Sequence, residues 1–288
     1  MKLAVSAGLA DGDEPFLAAL VGDLAVSLRE GGDPLADLLA AGADWTALRA
    51  EVEELLESGN RVRPVAQLRL LAPVRRPGKV IAIGLNYQDH TLETGLQAPE
   101  EPLTFAKYST SVVGPGAPIV VPTAITTSVD WEAELAVVVG TACGPGRRGT
   151  MADIGGYTVG NDVSARDLQF RDGQWTRGKS LDTFCPLGPY LVTPDEVADV
   201  HDLRIWTDVS GVRMQDASTV DLIFDIPYLL DFLTATVTLE PGDVILTGTP
   251  PGVGGFRTPP VYLADGDVVT VGVDGIGELT NPVIWSTS

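Results

Sequence analysis

Residues 130–140 read Asp-Trp-Glu-Ala-Glu-Leu-Ala-Val-Val-Val-Gly. Side chains point to opposite faces of a strand in turn, so Asp130, Glu132 and Glu134 fall on one face and Trp131, Ala133 and Leu135 on the other. The apolar run 136–139 then suits a strand that passes into a core. Carboxylates at the mouth of a buried strand repel one another and lose hydration, so they need a counter-charge. A divalent cation is the simplest one. The other reading is an edge strand that turns its acidic face to water.

Outward from this run, Lys-Val-Ile-Ala-Ile-Gly at 79–84 reads as a short buried strand. Strand patterns recur at 119–122, 156–161, 190–193, 203–209, 243–247 and 268–273. One amphipathic helical pattern lies among them, at 226–233, and Pro241-Gly242, Pro251-Gly252 and Asp265-Gly266 mark turns. The chain beyond residue 72 is therefore expected to be an α+β, mostly β body. The first 72 residues differ. Asp33 and Pro34 open a helix over 34–41, with Asp33 as its cap. Asp44 caps a second helix carrying Trp45, Leu48, Val52, Leu55 and Leu56, which Gly59 ends. The expected division is a small N-terminal α/β domain, 1–72, and a catalytic domain, 73–288.

The chain carries 39 acidic and 19 basic residues, a formal charge of −20, which disfavours nucleic acid and anionic membrane as partners. No apolar run approaches the roughly 18 to 20 residues of a membrane span. The two cysteines, Cys143 and Cys185, have no CxxC spacing, which suits a reducing compartment; a cytoplasmic location is expected. In so acidic a chain a basic cluster is informative. Residues 164–180 set Arg166, Arg171, Arg177 and Lys179 against Asp167 and Asp172, with Phe170 and Trp175 interleaved. This stretch reads as a mobile covering loop that holds an anionic substrate.

Three further segments carry candidate chemistry. Asp162, in Asn161-Asp162-Val163-Ser164-Ala165-Arg166-Asp167, either caps a turn or completes a metal site with Glu132 and Glu134. Hard carboxylate oxygens favour magnesium, manganese or calcium over zinc. His90 and Glu93 follow the strand at 79–84 and share a face if 88–94 is helical, as a base and its orienting carboxylate would. A surface pair on a short helix is the plainer reading. The loop 247–254, Thr-Gly-Thr-Pro-Pro-Gly-Val-Gly, lacks the residues of a P-loop but offers backbone N–H groups to a carboxylate or oxyanion.

Five segments in this order and spacing resemble the fumarylacetoacetate hydrolase family across residues 73–288. They are Gly-Leu-Asn-Tyr-Gln-Asp-His-Thr-Leu-Glu (84–93), Asp-Trp-Glu-Ala-Glu-Leu (130–135), Asn-Asp-Val-Ser-Ala-Arg-Asp (161–167), Gly-Lys-Ser-Leu-Asp-Thr-Phe (178–184) and Leu-Glu-Pro-Gly-Asp-Val-Ile-Leu-Thr-Gly-Thr-Pro (239–250). The resemblance implies a mixed β-roll catalytic domain, usually in a homodimer. It implies Mg2+ or Mn2+ on Glu132, Glu134 and Asp162, with Ca2+ as a further option. It matches His90 and Glu93 to a water-activating dyad and Lys179 to a catalytic lysine near the metal. Tyr87, Arg166, Gln169 and Thr249 are the substrate contacts it suggests. The activity so implied is hydrolysis of a C–C bond in an acylpyruvate-type 2,4-diketo acid, a small 2-oxo acid substrate. Isomerisation, tautomerisation or decarboxylation of a related 2-oxo acid is the alternative, and a catalytically silent metal-binding homologue is a third. Two departures, Ser210-Gly211 in place of Asn-Gly and the loop 252–257, bear on substrate identity and spare the metal and dyad positions.

Overall fold

In the computed structural model, which describes residues 1–9, 13–89, 93, 97–171 and 173–287, the decisive stretch forms a fully buried strand, Ala133–Val139. It lies inside a twelve-stranded sheet, so the edge-strand reading fails. From one edge the main path runs Val62–Pro64, Leu24–Glu30, Phe16–Val21, Lys2–Ala7, Cys185–Val192, Ile154–Asn161, Ala133–Val139, Val244–Leu246, Val80–Gly84 and Leu103–Lys107. Val244–Leu246 runs parallel to Val80–Gly84, while Ala133–Val139 is antiparallel to both of its neighbours. A second, five-stranded sheet is ordered Val212–Ser218, Arg204–Val209, Val268–Val273, Gly277–Ser286 and Ile119–Pro122. A mostly β, α+β architecture is what the strand patterns predict.

The two-residue period of the decisive strand sorts the core. Ala133, Leu135, Val137 and Val139 pack with Val209, Val271 and Leu279 of the second sheet. Ala136 and Val138 pack on the opposite face with Leu187, Leu191, Leu3, Val5, Leu35 and Leu39. Glu134 shares that second face and pairs in register with Gly160, which brings the end of Ile154–Asn161, and hence Asp162, alongside the acidic residues.

The N-terminal segment contributes more strand than its sequence suggests. Lys2–Ala7, Phe16–Val21 and Leu24–Glu30 are strands, and Lys2–Ala7 pairs antiparallel with Cys185–Val192, so this segment continues the main sheet. These strands are rich in alanine, a weak strand former, and tertiary pairing overrides that propensity. Helices Pro34–Ala40 and Trp45–Ser58 stand where the caps place them; Asp44 accepts the Thr46 and Ala47 N–H groups, and Gly59 ends the helix at φ 68°. Asp33 is a correction. Its side chain caps nothing and accepts instead the N–H groups of Arg75 and Arg76.

A second correction concerns 164–180. Its described residues form chiefly a two-residue strand, Ser164–Ala165, and helices Arg166–Arg171 and Thr176–Lys179, where a loop was expected. Arg166 and Lys179 are buried because carboxylates beneath them satisfy their charges. Among the described residues no helix is long and apolar enough to cross a membrane.

Candidate active site

Glu132, Glu134 and Asp162 each present a carboxylate oxygen within 4.8 Å of the others. Local backbone bonds build this convergence. The chain leaves ladder pairing between Val129–Asp130 and Ala133–Val139, and Glu132 lies in that gap. There its N–H donates to Asn161 Oδ1 at 3.0 Å and its carbonyl accepts the Asp162 N–H at 2.9 Å. Glu134 is held from the other side. Gly248 adopts φ 106°, a conformation that favours glycine, and its N–H donates to Glu134 Oε2 at 2.6 Å.

Three buried cations surround the triad. Lys179 Nζ lies 2.7 Å from Glu132 Oε2 and 2.8 Å from Asp162 Oδ2. Lys107 Nζ lies 2.5 Å from Asp162 Oδ1, and Arg166 Nη2 lies 2.7 Å from Glu132 Oε1. Asp130 shares the acidic stretch but not the triad. It pairs with Arg166 Nε at 2.8 Å and accepts the Gly255 N–H at 2.6 Å.

Burial and charge act unequally on these groups. Glu134 is held well above the usual carboxylate range, first by burial and then by Asp162 and Glu132. Burial alone would lower Lys179, but Asp162 and Glu132 together outweigh it and leave the ammonium more basic than usual. Asp130 is raised, by burial foremost, with Arg166 opposing. The all-oxygen triad and the uncompensated Glu134 fit a hard divalent ion such as Mg2+ or Mn2+: added positive charge is what this arrangement lacks.

Beside Glu132, the member of the triad that reaches it, opens a narrow cleft with about 30 Å³ of free space. Glu132, Lys179, Arg166, Gln169 and Thr249 line it, with Phe105, Trp175, Phe170 and Phe256 as apolar walls. The Arg166 guanidinium sits 5.3 Å over the Phe256 ring, and its Nη1 donates to Gln169 Oε1 at 2.9 Å. A cationic, partly apolar cleft beside a carboxylate triad can orient a small carboxylate ligand.

Most residues singled out from the sequence thus meet at one place. Tyr87 does not line the cleft: it is fully buried, and its backbone bridges to Leu222. Glu93 accepts the Gly252 N–H through both oxygens, at 3.0 and 3.2 Å, and so sits beside the loop at 247–254. His90 lies outside the described residues. Sequence reasoning missed Lys107. Leu103, Phe105 and Lys107 alternate along Leu103–Lys107, and a lysine on the same face as a half-buried aromatic, in a chain with only 19 basic residues, was the available signal.

The family model for the C-terminal part of fumarylacetoacetate hydrolase matches residues 79–284. A mitochondrial oxaloacetate tautomerase of Rattus norvegicus is 48% identical over 224 residues, covering 77% of this chain and 71% of the relative. The crystal structure of a 5-carboxymethyl-2-hydroxymuconate delta-isomerase from Mycobacterium smegmatis is 39% identical, with a TM-score of 0.77 over the full length of both chains. A maleylpyruvate hydrolase from Sphingobium sp. SYK-6, crystallised with manganese(II) and pyruvate, is 30% identical, with a TM-score of 0.79 over 99% of this chain and 100% of that one. On the family match, these likenesses and the shared fold, this chain belongs to the fumarylacetoacetate hydrolase family.

Proposed function

We propose that this protein is a divalent-metal-dependent tautomerase of a small 2-oxo dicarboxylic acid, with oxaloacetate as the leading substrate. The observation that carries this reading is the 48% identity to an oxaloacetate tautomerase over a region that contains every triad, lysine and arginine position of the site. Glu132, Glu134 and Asp162 would hold the ion. When bound, it would polarise the 2-oxo carboxylate and favour its enolate form.

The chain's own residues supply the rest. Arg166, braced by Asp130 and Gln169, is placed to hold a carboxylate by a charge-assisted bond. Lys179 keeps its proton, which suits it to stabilise an enolate oxygen and not to act as a base. Phe105 and Trp175, ring centroids 5.5 Å apart, keep water from one wall. Interconversion of enol and keto forms removes one proton from oxygen and adds one at C3. It consumes no water, and the proton carrier is assigned to His90 with Glu93.

Hydrolysis of a C–C bond is the second reading, favoured by the structural likeness to maleylpyruvate hydrolase and by Glu93 beside the cleft loop. It also needs an enolate stabilised, but that of the pyruvate released when water attacks the distal carbonyl and the C–C bond breaks. The test follows the ultraviolet decay of enol oxaloacetate, with pyruvate release measured in parallel on oxaloacetate and on acylpyruvates. Magnesium-dependent acceleration of enol decay without pyruvate supports the tautomerase. Pyruvate released from acylpyruvates, with enol decay at the uncatalysed rate, replaces it with the hydrolase.

A further inference from the structure

Gln215 lies on Val212–Ser218 in the second sheet and is buried. Its amide makes four hydrogen bonds. Oε1 accepts from the Ala133 N–H at 3.0 Å and from Thr207 Oγ1 at 2.7 Å. Nε2 donates to the Pro250 carbonyl at 2.7 Å and to Thr249 Oγ1 at 2.8 Å. The two ends of an amide are told apart by their partners. Here two of those partners are backbone groups of fixed character: the Ala133 N–H can only donate and the Pro250 carbonyl can only accept. The amide therefore has one orientation, and Nε2 must face Thr249.

A hydroxyl that accepts from Gln215 still has its own proton to place. No described residue accepts it, and Thr249 lines the cleft beside Arg166 and Lys179. We propose that Gln215 is a positioning residue that fixes the Thr249 hydroxyl as a hydrogen-bond donor into the cleft, aimed at an oxygen of an anionic 2-oxo acid. This rests on the proposed function for the identity of the ligand. The same amide ties the Thr249 loop to Ala133, between Glu132 and Glu134, so the donor and the triad are held in one register.

The test measures calorimetric binding of oxalate, a small planar dianion resembling the enolate, in saturating magnesium. Oxaloacetate turnover is measured beside it. Thr249→Val and Gln215→Met should each weaken oxalate about tenfold, the scale of a lost bond to a charged group. The double variant should bind no more weakly than the weaker single one, because both remove the same donor. Thr249→Ser should bind like the wild type. Gln215→Glu stands in if Gln215→Met does not fold, since a carboxylate would draw the Thr249 hydroxyl to itself and give the same loss. Wild-type oxalate affinity in Thr249→Val or in either Gln215 variant, or additive losses in the double variant, overturns the assignment. Oxalate binding without turnover by the wild type overturns the proposed reaction and leaves Gln215 to be judged on binding. Absence of oxalate binding by the wild type overturns both.

Discussion

Glu134 shows how one residue carries the electrostatic tension of the site. Its carboxylate has one hydrogen bond among the described residues, from Gly248, while Glu132 and Asp162 press on it and burial denies it water. A carboxyl raised in the folded state is easily protonated there. Its contribution to stability is complete below the ordinary glutamate range and is lost as pH rises through the raised value. Without metal, Glu134→Gln should therefore unfold at a higher temperature than the wild type at neutral pH. That advantage should vanish as the pH falls to about 4, where an unperturbed glutamate takes up its proton. Magnesium should raise the wild type's midpoint and leave the variant's almost unchanged. Thermal unfolding with and without chelator decides it, and equal midpoints at neutral pH would mean that Glu134 carries no such tension. At this scale the sequence was informative for acidic residues, because the strand period places Glu132 and Glu134 together. It was silent on Gln215, whose partners include a loop and a strand distant in the chain as well as the neighbouring strand of its own hairpin.

Among the elements, the short helix Thr176–Lys179 tolerates little added volume. Gly178 packs on the backbone of Arg166–Arg171, and a Cβ built there would sit 2.5 Å from Gln169 N and 2.8 Å from Gln169 Cα. Backbone cannot step aside as a side chain can, so Gly178→Ala must push the helix away and carry Lys179 with it. The expected cost is about 1–3 kcal/mol of stability, as for other overpacked cores. Activity should fall more than tenfold even at temperatures where the variant is folded, which turnover and unfolding measured on one preparation would show. Full activity would mean that Lys179 need not sit where Glu132 and Asp162 hold it. The sequence disclosed the charges of this element but not its form. Its lysine looks like part of a solvated loop until the buried acids that neutralise it, Glu132 and Asp162, are placed below. Strands with alternating or branched residues, such as Val268–Val273, were legible, while the alanine-rich strands near the N-terminus became evident only through their pairing.

For the whole molecule, the sheet joins what the family model separates. The matched region begins at residue 79, yet Leu3, Val5 and Leu17 share a core with Leu187, Leu191 and Val138. A fragment of residues 73–288 would expose those side chains, at about 1.5–3 kcal/mol each, and bare the edge of Cys185–Val192. It should lack a cooperative unfolding transition and aggregate; a soluble fragment with sharp unfolding would show that the N-terminal segment is dispensable. The charge of −20 agrees with the acidic sequence throughout but says nothing of the chemistry, which resides in a cluster where three buried cations face four acids. The most direct measurement is the rate of enol oxaloacetate decay by the metal-stripped protein as magnesium or manganese is titrated in, with Asp162→Asn alongside. A saturable, metal-dependent acceleration in the wild type, absent in Asp162→Asn, is the predicted result. Acceleration that survives chelation, or that Asp162→Asn retains in full, would contradict a tautomerase built on this carboxylate triad.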